Sequence, residues 1–157
     1  MYKHNDLVLI AEKWLRKNGF PVVVSELKTT IREIPDAIGF RSNSSMMIEC
    51  KCSMSDFYAD FKKPERINQN TGVGNYRAYL APKGVLKLDK IPQGWGFLEV
   101  DEKGRVHTVK FKKGNIWSGN DSIKDPRYLN ENHVEYLHLS DLENERRILF
   151  SMLRRIV

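Results

Sequence analysis

Apolar residues in "NDLVLIAEKWLRKN" (5–18) recur at helical spacing. Leu7, Ile10, Ala11, Trp14 and Leu15 share one stripe, which predicts a helix with Asn5 as its cap and Glu12 at the stripe's edge. Gly19 stops it and Pro21 prevents its continuation. The pattern then shortens to strand length. "PVVVSELK" (21–28), "IREIPDAIGF" (31–40) and "SMMIECKC" (45–52) predict three strands, the last two joined by the polar turn "RSNSS". "SMSDFYADFKKPERIN" (53–68) reads as a second helix, capped by Ser53 or Ser55 and broken at Pro64. "YRAYLAP" (76–82), "GWGFLEV" (94–100) and "RVHTVKF" (105–111) predict three more strands, the last two paired across "DEKG". Residues 112–135 are polar and rich in turn formers, so a mobile stretch is expected there. The closing segment, within 138–157, reads as a helix capped by Ser140 with Glu143 three residues on, its apolar stripes drawn from Leu142, Ile148, Leu149, Met152, Leu153 and Ile156.

Helices alternating with strands predict an α/β fold: a small mixed sheet flanked by the first, second and last helices. At 157 residues the chain suits a single domain, 1–157, with no internal repeat or linker. No apolar run approaches the roughly 20 residues of a membrane span. The first residues do not read as a secretory leader, so a cytoplasmic protein is expected. The net charge of +6 and a sequence pI near 9.3 favour a polyanionic partner.

Charge inside the third predicted strand changes the picture. With a period of two, Met46, Ile48, Cys50 and Cys52 share one face, and Met47, Glu49 and Lys51 the other. A hairpin near 41–45 carries Asp36 close to Glu49. Two carboxylates at short range repel unless a cation joins them. Mg2+ or Mn2+ suits two such oxygens, with the Cys50 carbonyl as a further one. Lys51 would stand beside that ion, able to orient a water or stabilise phosphate charge. The plainer alternative is a solvated strand face carrying a cross-strand ion pair of little worth.

Pro35-Asp36, twelve intervening residues, then Glu49-Cys50-Lys51 resembles the motif of the PD-(D/E)xK nucleases. The order helix, three strands, helix, strand is similar to that superfamily's restriction-endonuclease-like αβββαβ core. "IECKCSMSDFYADFKKP", "YRAYLAP" and "PQGWGFLEV" resemble its MmcB-like DNA-repair branch, over about residues 5–111. The resemblance implies Asp36 and Glu49 as metal ligands, Lys51 as the catalytic lysine, and an acid on the first helix, best matched by Glu12. Glu26 and Glu33 fit that position less well. Cysteine between the glutamate and lysine departs from the commonest pattern, but the position faces the core. The expected function is Mg2+- or Mn2+-dependent hydrolysis of DNA, with Lys62, Lys63, Arg66, Arg77 and Lys83 contacting phosphates. The alternatives are a non-catalytic DNA-binding module, or an accessory nuclease subunit of a repair or replication assembly that a protein partner targets.

Other residues read as structural. Cys50 and Cys52 are expected as buried free thiols. His4, His107, His133 and His138 form no metal-spaced pair. The tryptophans suit packing, with Trp117 the one candidate for base stacking because its surroundings are polar. "TGVGN" lacks the rest of a P-loop. Asp56 and Asp60 suggest a solvated helix face, or ion pairs with Lys62, Lys63 or Arg66.

Overall fold

The computed structural model describes residues 1–26, 34–62, 72–123 and 135–156. Lys63, Arg66, Glu33, His133 and the Pro64 break lie outside the described residues. The fold is mixed α/β, a six-stranded sheet flanked by helices. Helix α1 (His4–Lys17) precedes β1 (Val22–Ser25), β2 (Ala37–Phe40) and β3 (Ser45–Cys50). Helix α2 (Met54–Asp60) leads to β4 (Tyr76–Pro82), a 3-10 turn (Leu88–Lys90), β5 (Gly96–Val100) and β6 (Val106–Lys110). A short helix α3 (Asn120–Ile123) and a longer α4 (Leu142–Arg154) close the chain.

The strands lie in sequence order. β1–β2, β2–β3 and β5–β6 are antiparallel; β3–β4 and β4–β5 are parallel. Parallel neighbours need crossover connections, and the one between β3 and β4 carries α2. All six residues of β3 are buried, because helices cover both faces of the sheet. Met46, Ile48 and Cys50 meet Leu7, Val8, Ala11 and Leu15 of α1. On the other face Met47 and Tyr79 meet Phe57 of α2 and Ile148 of α4. α1 and the turn after it lie so close to β2 that a Cβ on Gly39 would come within 3.2 Å of Leu15 Cδ2 and 2.7 Å of the Phe20 Cβ.

Several expectations need correction. α1 starts at His4, one residue before Asn5, and the Lys3 amide donates to Asp6 at 2.8 Å, so a first-turn acid does the capping. Its buried stripe is rotated towards Val8, with Ile10 and Trp14 half-buried. Ser140 is not the cap of α4. Asp141 is, accepting from the Asn144 amide at 3.1 Å, because the Ser140 hydroxyl is taken by Glu145 and by the Gly74 amide. Of the apolar residues expected inward on α4, Ile148 is buried, whereas Leu142, Leu153 and Ile156 are exposed. Within 112–135, Trp117, Ser118 and Gly119 are buried rather than loose. The Trp117 ring packs on Phe20 and Tyr76, which leaves no open face for a base.

Candidate functional site

The β2–β3 register opposes Ala37 to Ile48. One step further out, Asp36 and Glu49 stand side by side where β2 begins and β3 ends. The Asp36 carboxyl hydrogen-bonds the Glu49 side chain and accepts from the Cys50 amide at 2.7 Å. A strand residue turns its N–H and C=O to the same side, so the Cys50 carbonyl also faces the Asp36 edge. The Asp36 carboxyl is held above its usual range, chiefly by burial, with Glu26 adding to the rise. The Cys50 and Glu49 hydrogen bonds and His4 act in the opposite direction without cancelling it.

Lys51 is buried against the second face of the sheet, under α2. Its Nζ lies 4.0 Å from Glu49 Oε2 and 3.2 Å from Asp60 Oδ1. Asp60 ends α2, and its side chain has no exposed surface. Its other oxygen accepts the Tyr79 hydroxyl at 2.7 Å. The expectation that Asp60 faces solvent is therefore corrected. α2 is anchored by Phe57, which is fully buried, and Asp60 follows three residues later on the same face. Asp56 is exposed, as a solvated face requires.

α1 reaches the same end of the sheet through its N-terminus. His4 Nε2 lies 2.5 Å from Glu26 Oε1 and 3.5 Å from Asp36 Oδ1. His4, Glu26 and Asp36 thus form a cluster able to offer one nitrogen and two oxygens. Glu12 is buried in α1, eight residues beyond His4 and so about 12 Å further along the helix axis. The first helix therefore meets Asp36 through a histidine, and the nearby extra acid is Glu26, from the end of β1. No spacing of histidines along the chain signals this; it follows from α1 running antiparallel to β1.

The phosphate-contact candidates separate. Lys62 and Lys83 are exposed. Arg77 is fully buried, donating to the carbonyls of Gly74, Gly72 and Leu139 at 3.0, 3.1 and 3.2 Å. It is a clamp on the chain before β4, not a surface contact. Cys50 is buried and its thiol is pushed well above the usual range by burial and by Asp36 and Glu49. Cys52 is only half-buried, because β3 ends at Cys50 and the strand alternation does not reach it. Both thiols are free. A separate open cleft of about 1090 Å³ lies beside Tyr2, Asp6, Lys83 and Asp101, and Asp36, Glu49 and Lys51 do not line it.

No family model matches the chain, and no curated protein matches it. Among solved structures it is similar to the "SPO1766 protein of unknown function from Silicibacter pomeroyi", 19% identical, with 94% of this chain and 90% of that chain covered and a TM-score of 0.54. At that identity the likeness is one of fold. Among the described residues, no helix is long and apolar enough to cross a membrane.

Proposed function

We propose that the chain is a metal-dependent deoxyribonuclease of the PD-(D/E)xK kind, built on a restriction-endonuclease-like core and cleaving DNA phosphodiester bonds. The observation that carries this reading is the direct hydrogen bonding of the Asp36 and Glu49 carboxyls with Lys51 alongside. Two carboxyls in contact, Glu49 buried and Asp36 half-buried, repel when both are ionised unless they share a proton or a cation. The element order from α1 to β4 supports the same reading.

The donors fit Mg2+ or Mn2+: hard oxygens from Asp36 and Glu49, with the Cys50 carbonyl on the same edge. Such an ion supplies Lewis acidity towards a phosphoryl oxygen and makes a water a stronger nucleophile. Asp36 is pre-oriented by the Cys50 amide on Oδ2, which leaves Oδ1, 3.5 Å from His4 Nε2, as the oxygen to act as a ligand. Lys51 donates to the phosphate oxygen on which negative charge builds as water attacks the phosphorus. Burial strengthens that interaction by excluding competing water. Lys62 and Lys83 hold the DNA backbone without reading its sequence.

The test is incubation of the purified protein with labelled single-stranded, duplex and branched DNA, with and without Mg2+ or Mn2+. Cleavage that requires the ion, and is lost in Asp36→Ala and Glu49→Ala, is the expected result. Failure to cut any substrate with either ion sinks the reading for the isolated chain. An accessory subunit targeted by a protein partner is the second reading. It is favoured by the loss of Arg77 from the candidate DNA surface. A non-catalytic DNA-binding module would bind DNA without taking up Mn2+ at the acids, which calorimetry reads directly.

A further inference from the structure

We propose that Asp60, itself fixed by Tyr79, is the positioning residue that sets where the Lys51 ammonium points. What that position serves rests on the nuclease reading; the positioning itself does not. The Lys51 side chain leaves just past the end of β3, where the backbone amide donates to the Leu80 carbonyl of β4 at 2.9 Å but nothing in the ladder fixes the side chain's tip. A lysine has four rotatable bonds, and holding its tip costs side-chain entropy. The Asp60 carboxylate opposes that cost: it accepts from Lys51 Nζ at 3.2 Å and has no exposed surface.

Asp60 is in turn held from two sides. Its backbone closes α2, whose Phe57 packs edge-on against the Tyr79 ring at 4.8 Å. Its second oxygen takes the Tyr79 hydroxyl at 2.7 Å. The Tyr79 ring stacks on Trp95 at 4.6 Å, and both rings are buried. Tyr79 also lies directly opposite Glu49 in the β3–β4 ladder. The chain of contacts therefore runs from the aromatic core, through one phenol and one carboxylate, to the ammonium beside Glu49. It leaves the other side of Nζ, facing Glu49 at 4.0 Å, as the working side. A carboxylate on α2 thus registers the helix against the chemistry on β3.

The experiment is a double-mutant cycle of Asp60→Asn with Lys51→Met, read in three ways. In cleavage, Asp60→Asn is expected to lower kcat on the order of 10²-fold, the scale of a misplaced catalytic group. KM and Mn2+ affinity should stay within about twofold, because the substitution acts on the reaction through the Lys51 ammonium that Asp60 accepts from. In the Lys51→Met background the Asn substitution should cost nothing further in rate. Tyr79→Phe should reproduce part of the Asp60→Asn loss. In thermal unfolding, the double variant should lose less Tm than the two single variants together, since each single change strands a buried partner. A kcat that survives Asp60→Asn, or losses that multiply in the double variant, overturns the proposal. Should the wild-type protein cut no DNA, the nuclease reading fails by itself, and the Tm cycle still decides the pairing: additive Tm losses would overturn it and coupled losses would support it.

Discussion

Strand β3 begins and ends in buried carboxyl groups, and the two ends are built on opposite plans. At its start, Glu145 of α4 accepts the Ser45 hydroxyl at 2.6 Å, the Ser140 hydroxyl, and the Gly74 amide at 3.4 Å. One acid meets several neutral donors, and the cluster ties α4 to the sheet. At its end, the Asp36 and Glu49 carboxyls lie against each other, and Asp36 is driven towards protonation by burial. Lys51 is shared with a third acid, Asp60. A buried charge answered by hydroxyls and amides is a fastener. Acids pressed against each other cost stability unless a cation arrives, and that cost is tolerated where it serves a function.

The largest expected effect lies at the second end. Lys51→Ala should lower the cleavage rate by about 10²–10³ while Mn2+ binding persists, whereas Asp36→Ala or Glu49→Ala should remove binding and cleavage together. Calorimetry beside single-turnover kinetics separates these outcomes, and full-rate cleavage by Lys51→Ala would erase the contrast between the ends.

The pH dependence of stability sharpens the first end. His138 backs that network, its amide donating to Asn75 O at 2.7 Å and its Nε2 bonding Gly94 O. Burial, then Arg77, lowers its pKa from 6.5 to about 4. The unfolded chain therefore takes up a proton that the folded one refuses. Stability present above about pH 6.5 should be lost as pH falls towards 4, by about 3 kcal/mol at most. Denaturant melts of wild type and His138→Gln across that window check it; parallel curves would refute the assignment.

Glu145→Ala should cost about 1–3 kcal/mol, by leaving buried donors without their acceptor, and should leave Mn2+ affinity unchanged. Asp36→Asn should do the reverse in metal-free buffer. Because its folded-state pKa is raised, the ionised form penalises the folded state above that pKa, and the penalty vanishes below the unfolded value of 3.8. The variant should be more stable than wild type near neutral pH and equal to it in acid. A destabilised Asp36→Asn at neutral pH would mean that the two ends follow one plan after all. The smallest effect concerns the thiols: a bulky reagent should label the half-buried Cys52 well before Cys50 in the folded protein.

Much of this frame was legible beforehand, for reasons that differ by residue. Tyr76–Pro82 forms the strand its apolar run predicts, between a glycine-rich stretch and a proline. The alternation in β3 separates Cys50 from Glu49 and Lys51, because a strand has only two faces. Asp60 was illegible: at helical spacing from Asp56, on a sequence full of nearby lysines, it looks like surface. Its burial depends on how α2 is rotated over β4, which Phe57 decides. Arg77 misleads for a related reason. An arginine in an apolar strand signals either a binding surface or a clamp, and only the carbonyls of Gly72, Gly74 and Leu139 select the clamp.

The six strands and the placing of Asp36 beside Glu49 could be read from the sequence alone, because strand period and hairpin register are local properties of the backbone. Tertiary structure alone decided that His4 meets Asp36, that Glu12 stays about 12 Å away along α1, and that Asp60 grips Lys51. Those contacts join residues on separate elements. Their distances depend on how α1 and α2 lie across the sheet, and that is settled by packing of the apolar faces, to which the charged residues contribute nothing they could announce in the sequence.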